Sequence, residues 1–333
     1  MKQLPASLQF LFQFMNVMKI LWLLICVLWF SPEVYSQCDK QKPMFGDNCT
    51  KSAQVLKGDQ QFIQTATKKH GSADAAAQFY RTAGWQDFKS DKTTAAMEKF
   101  NQAWLLDREA PETYFAFGHL MRYAFGKNAA DAERYYKLGR MRDASHNAEK
   151  SSLLQVLAVL EQHHNPAGII DASSQLIQSF PDFENGLGYK TRGYYYTTMQ
   201  MPDRAVLDLN KALEIDPQNA HVYLNRGYAY AWQRNHQQAL SDYNQAITLD
   251  PALAEAYANR AVLYADSLNQ PQTALPDIEK ALQLKPNQPD FYKTKSNILF
   301  KLNRQSEACA TLKNAIAQGQ KTLAEDYKKR CGK

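Results

Sequence analysis

Pro217, Pro251 and Pro286 stand 34 and then 35 residues apart, and each closes a run of the same kind, KALEIDP, QAITLDP and KALQLKP. Proline holds φ near one value and has no N–H to donate, so it stops one helix and lets the chain turn into the next. A stop recurring at that interval marks one supersecondary unit copied along the chain, each copy needing its neighbours to cover an apolar face. Other fold classes are poorly served: 14 Gly and 13 Pro in 333 residues leave little turn chemistry for an all-β chain.

Counting back from Pro251 places Tyr223, Arg226, Gly227 and Tyr230 on one helix and Ala239, Tyr243 and Ala246 on a second. The small Gly227 and Ala239 let the two helices approach, while the tyrosines fill the space around that contact at three- and four-residue spacings. These residues resemble the signature of the tetratricopeptide repeat family. The preceding copy reads Tyr189, Arg192, Gly193, Tyr196, Ala205, Leu209 and Ala212. The following copy reads Tyr257, Arg260, Ala261 and Tyr264, then Ala274, Ile278 and Ala281, with one extra residue expected in the turn around Asn269 to Pro271. A fourth, with Tyr292, Ser296, Leu299, Ala308, Leu312 and Ala315, lacks the closing proline, as a terminal copy does.

The resemblance is specific over 186–322, read as four repeats, and weaker over 77–181, read as divergent repeats. There Tyr80, Gly84, Ala96, Phe100 and Ala103 keep the spacing, as do Tyr114, Gly118 and Met121; two amphipathic helices are expected around Lys150–His163 and Ala167–Phe180. What the resemblance implies is an all-α fold, a right-handed superhelical solenoid of helix-turn-helix repeats. Residues 37–76 form a leader segment outside the repeats. Lys321 to Arg330 is the candidate cap, with 323–333 as capping helix and tail.

The amino terminus has the pattern of an address. Ile20 to Phe30 are eleven apolar residues between Lys19 and Ser31-Pro32, the form of a signal peptide. Eleven fall short of the roughly 20 that span a bilayer. Val34 and Ser36 occupy the small-residue positions of a cleavage site, so 1–36 is expected to be removed after Ser36, leaving Gln37. Met15 and Met18 are further candidate starts. The expected destination is periplasmic or secreted; the alternative is an uncleaved segment that holds the chain to a membrane in an envelope assembly.

Beyond Cys26 in that segment, Cys38, Cys49, Cys309 and Cys331 make an even set that suits an oxidising compartment. Four cysteines allow three connectivities, the simplest being Cys38 with Cys49 and Cys309 with Cys331. Cys309 lies 10 residues before Gly319 and Cys331 lies 12 after it, so an antiparallel hairpin about that glycine brings the second pair level.

In the family, the first helices of successive repeats line a concave groove that takes a peptide, so the resemblance implies a protein or peptide partner. Carried over by position, the groove includes Lys190, Tyr194, Thr197, His221, Leu224, Tyr228, Ala231, Glu255, Ala258, Val262, Asp290, Lys293 and Asn297, with Trp232 nearby. Tyr and Trp suit such a surface because they bury large areas and keep a polar handle. Aromatic stripes at helical spacing also serve as core. Lys190, Lys293 and Asn297 resemble the set with which some members clamp a carboxyl terminus, although two repeats separate Lys190 from the others. Asn225 and Asn259 fit the ordinary YxNR pattern of the repeat.

Charge and motif content argue against other classes. The formal charge is +6, with Lys and Arg interleaved among Asp and Glu rather than drawn into the basic stripe of a nucleic-acid binder. Two-His helical metal spacing, Cys-x-x-Cys, phosphate-binding glycine loops and nucleophile elbows are missing from the sequence. No metal, cofactor, small-molecule substrate or catalytic set is therefore expected; an enzyme hidden in 37–185, where the resemblance is weakest, is the remaining alternative. His163-His164 falls at a helix carboxyl end, where imidazoles suit the dipole.

Overall fold

The computed structural model describes residues 53–125 and 129–332, together with Met44. The expected signal segment 1–36, its cleavage point and the Cys38–Cys49 pair lie outside the described residues, whereas the leader segment is helical over 53–70 and again from Ala73. Regular structure among the described residues is entirely helical, and no helix there is long and apolar enough to cross a membrane. The chain forms two compact units, Met1–Ser152 and Leu153–Lys333, so the stretch read as divergent repeats is shared between them.

The first unit holds α1 (Ala53–His70), α2 (Ala73–Lys89), α3 (Thr93–Leu106), α4 (Pro111–Tyr123), α5 (Ala129–Arg140) and the start of α6 (Asn147–Gln162). Local sequence sets the helix starts: the Ser72 side chain accepts from the Ala75 amide at 3.0 Å, and Pro111 opens α4. Two antiparallel pairs result, α2 with α3 and α4 with α5. Gly84 lies against the Phe100 ring, and Gly118 against Tyr136, the contacts expected of repeat glycines. Phe88, Met97, Phe100, Phe115, Phe117 and Leu120 fill the core. A buried polar chain crosses it: Tyr136 Oη lies 3.0 Å from His119 Nδ1, and His119 Nε2 lies 3.1 Å from Ser152 Oγ.

The second unit continues from α6 through α7 (Pro166–Ser179), α8 (Phe183–Thr198), α9 (Pro202–Ile215), α10 (Ala220–Trp232), α11 (His236–Leu249) and α12 (Ala254–Val262). A π-helical turn (Leu263–Ser267) follows, then α13 (Pro271–Leu284), α14 (Pro289–Lys301), α15 (Gln305–Ala317), a 3-10 turn (Lys321–Leu323) and α16 (Ala324–Cys331). Pro217, Pro251 and Pro286 sit just past the ends of α9, α11 and α13, where the sequence places helix stops. Within each pair the turn passes through one left-handed residue: Gln200 (φ 58°), Arg234 (φ 59°), Asn269 (φ 53°) and Asn303 (φ 60°).

The extra residue of the third repeat is not in the turn around Asn269 to Pro271, where the sequence suggested it. Arg234 follows its repeat arginine, Arg226, by eight residues, and Asn269 follows Arg260 by nine. The insertion is taken up between them by the π-helical turn, in which the Leu268 amide reaches back five residues to Leu263 O at 3.1 Å. A π turn absorbs one residue without ending the helix, so everything after it keeps register.

Alanine and tyrosine pack between the helices of each pair. Ala205, Leu209 and Ala212, then Ala239, Tyr243 and Ala246, then Ala274, Ile278 and Ala281 are all essentially inaccessible to solvent. A Cβ on Gly227 would stand 2.8 Å from the Tyr243 ring, so only glycine permits this approach.

Across each pair runs an ion pair that the sequence reading did not find. Arg192 donates to both oxygens of Asp208 at 2.7 and 2.8 Å, Arg226 to Asp242 at 2.8 and 2.7 Å, and Arg260 to Asp277 at 2.7 Å twice. The remaining guanidinium nitrogen reaches the second helix of the preceding pair, at Ser174 Oγ, Asn210 Oδ1 and Asn244 Oδ1 respectively. One side chain therefore ties two helices of its own repeat and one of the repeat before. Hydrogen bonds to the aspartates outweigh burial and raise the pKa of each arginine. The series changes in the last repeat, where Lys295 replaces arginine and pairs with Glu279 at 2.8 Å, while Thr311 stands in the aspartate position.

Candidate functional site

With the ion pairs holding one side of the first helices, the opposite side of α8, α10 and α12 faces outward. Equivalent positions carry Tyr194, Tyr228 and Val262, each 34 residues from the next and exposed by 45%, 40% and 39%. Trp232, one turn beyond Tyr228, is 47% exposed and meets that ring edge-on with centroids 6.3 Å apart. The sequence left these aromatics open between core and surface, and the structure places them at the surface.

Beneath the tyrosines lies a cleft of about 600 Å³. Its walls are Tyr194, Thr197 and Thr198 of α8, His221, Leu224, Asn225 and Tyr228 of α10, Glu255 and Asn259 of α12, and Lys285 at the end of α13. Of the residues carried over by position, Tyr194, Thr197, His221, Leu224, Tyr228 and Glu255 are brought together here. Asn225 and Asn259 join them, one repeat apart, although the sequence reading gave both a place in the ordinary repeat pattern. Thr198 and Lys285 were missed altogether; Lys285 precedes the repeat proline Pro286 and drew no attention as a wall residue.

Lys285 Nζ lies 2.5 Å from Glu255 Oε1. Burial raises the Glu255 pKa, but the Lys285 hydrogen bond, a backbone bond and the charges of Lys285 and His221 together outweigh it, so the carboxyl sits below its ordinary value. The other oxygen, Glu255 Oε2, is covered and has no hydrogen-bond partner.

Lys190, Lys293 and Asn297 are elsewhere. Lys190 Nζ donates to the Glu184 carbonyl at 3.0 Å, in the left-handed first turn of α8. Lys293 pairs with Asp326 at 3.2 Å, and Asn297 accepts from Arg330, whose guanidinium lies 3.9 Å from the Phe300 ring centroid. The structure thus lays α16 across α14, and the three clamp-like residues form no common site. Cys309 and Cys331 are joined by a disulfide, and Leu323 fills the space between α16 and the α15 residues Leu312 and Ala315. Among the described residues, no three His, Cys, Asp or Glu side chains gather as metal ligands would.

Family models agree with the helix pairs. One described as "Tetratricopeptide repeat" matches 220–253, a second of that description matches 254–288, and one described as "TPR repeat" matches 203–233. The chain carries tetratricopeptide repeats. Solved structures similar to it include a tetratricopeptide repeat protein from Parabacteroides merdae, at 17% identity over 80% of this chain and 99% of that one, with a TM-score of 0.46. The C-terminal part of a TPR repeat-containing protein from Cytophaga hutchinsonii is 18% identical over 71% and 94%, with a TM-score of 0.47. YrrB, described as a TPR protein with an unusual peptide-binding site, is 21% identical over 56% and 92%, with a TM-score of 0.41. No curated protein matches the sequence. In these repeats the family signature accounts for the packing face of each first helix, and the cleft lies on the other.

Proposed function

We propose that the chain is an exported scaffold that binds a protein or peptide partner along the groove of α8, α10 and α12. The observation that carries this is the row Tyr194, Tyr228 and Val262: three large side chains at equivalent positions, all exposed, above a cleft with polar walls. Exposed aromatics set beside hydrogen-bonding groups are the composition of binding hot spots. Capture of partners by the full chain, compared with a chain carrying Tyr194→Ala and Tyr228→Ala, tests the groove. Loss of the captured protein is expected, and equal capture by both chains rules the groove out.

Export rests on the leader-like apolar run and is supported by the Cys309–Cys331 disulfide, a bond that persists in oxidising compartments. Sequencing the amino terminus of the protein from its native source separates the two destinations. Gln37 at the front means release into the periplasm or medium; retention of Lys19 means the segment anchors the chain to the membrane.

A further inference from the structure

The chain supplies its own example of what this groove accepts. Arg330, on α16, lies over the Phe300 ring and bonds the Asn297 side-chain oxygen. Asn297 occupies in the fourth repeat the position of Tyr194, Tyr228 and Val262 in the first three. A guanidinium on an aromatic face with a carbonyl oxygen as acceptor is therefore a contact this surface already makes.

The cleft offers the same chemistry. Tyr194 and Tyr228 present their rings, Asn225 and Asn259 present side-chain amides that can turn an oxygen inward, and Glu255 adds a carboxylate. Three donors in the wall are already committed. Thr197 Oγ1 donates to Gly193 O at 2.8 Å, Thr198 Oγ1 to Tyr195 O at 2.9 Å, and Lys285 to Glu255. The nearby Arg226 and Arg260 are held by Asp242 and Asp277. An incoming carboxylate would have Lys285 as its strongest donor and would face Glu255 as a like charge. An incoming cation meets two rings, two amide oxygens and the Glu255 carboxylate, whose Oε1 it would share with Lys285. The unit as a whole does not repel it, because 153–333 carries 19 Lys and Arg against 18 Asp and Glu.

We infer that the cleft between α8, α10 and α12 receives a basic side chain, arginine or lysine, from the partner polypeptide. This specificity rests on the groove reading above. It is the reverse of a carboxylate clamp.

Fluorescein-labelled octapeptides with capped termini, alternating Ala with Arg, Gln or Glu, are titrated into the full chain at low salt and followed by anisotropy. The Ala-Arg peptide should bind at least about tenfold more tightly than the Ala-Glu peptide, the scale of one charge-assisted hydrogen bond. Glu255→Gln should weaken the Ala-Arg peptide by about tenfold and strengthen the Ala-Glu peptide. Lys285→Met breaks the same wall pair but should strengthen Ala-Arg binding. Damage to the cleft alone would instead weaken all peptides in both variants. That result, equal binding of the Arg and Glu peptides, or an unmoved preference in Glu255→Gln overturns the inference. The groove reading then stands if Tyr228→Ala still abolishes partner capture, and falls if that variant behaves like the parent chain.

Discussion

Arg226 and Asp242 meet two-to-two across the α10–α11 pair, Nε to Oδ2 at 2.8 Å and Nη2 to Oδ1 at 2.7 Å, with the side chains 20% and 7% exposed. A fork in this geometry fixes both distance and rotation between the helices, which apolar packing alone leaves adjustable. Removing the aspartate strands a guanidinium that is mostly out of water. Asp242→Ala is expected to cost about 3 kcal/mol in urea unfolding, and Arg226→Lys to cost less but not zero, because an ammonium cannot form the fork. Adding the tie where it is missing should work in the opposite direction. Lys295→Arg with Thr311→Asp is expected to gain about 1 kcal/mol, visible as a rise in Tm.

Two glycines distinguish helix propensity from packing. Gly227→Ala puts a methyl 2.8 Å from the Tyr243 ring, and Tyr243 is fully buried with nowhere to move. The expected loss is about 1–3 kcal/mol, reduced by the better helix propensity of alanine. Gly58→Ala in α1 meets nothing within 4 Å, so only the propensity term acts and stability should rise by up to about 1 kcal/mol. Thermal melts of the two variants should move in opposite directions.

How far these features were legible in the sequence follows from their range. Gly227, Ala239 and Tyr243 were readable because their spacing repeats along the chain and their sizes admit one packing. The arginines were visible as signature residues, but their partners Asp208, Asp242 and Asp277 lie 16 or 17 residues away across a turn, beyond any one helical period. The extra residue of the third repeat was detectable as a length of 35 yet not placeable, since periodicity only brackets an insertion between two anchors. Tyr194 and Tyr228 sit two residues from the packed Tyr196 and Tyr230, and composition does not say which of such neighbours faces outward. Asn225 and Asn259 satisfy the repeat pattern and line the cleft at once, so the pattern concealed them.

The disulfide should matter for the end of the chain far more than for its middle. No α16 side chain is fully buried, so the helix depends on the Cys309–Cys331 bond, Leu323 and the polar contacts to α14. Closing a loop of 22 residues corresponds to about 3 kcal/mol on the chain-entropy model. Under reduction, or in Cys309→Ser, trypsin should cut at Lys328, Lys329 and Arg330 while the repeats keep their helical signal. Mass spectrometry of the fragments checks this.

Glu255 predicts an acid response of definite sign. Its folded pKa lies below the ordinary value of 4.5, so its pair with Lys285 contributes fully above that pH and is lost as pH falls through the lowered value. Glu255→Gln should therefore be less stable than the parent near neutrality and should lose less stability on acidification. Urea titrations at about pH 6 and about pH 3 should show the gap between the two chains narrowing.

The helix laid over α14 also gives the array a polarity. Lys293 and Asn297 already have intramolecular partners, so a ligand advancing along the first helices meets a wall at the fourth and can use three of the four copies. Its footprint is bounded on that side whatever its own length, and copies appended after α16 would not join the same furrow. A longer reading surface would have to arise by duplication inside the array, ahead of the closing helix.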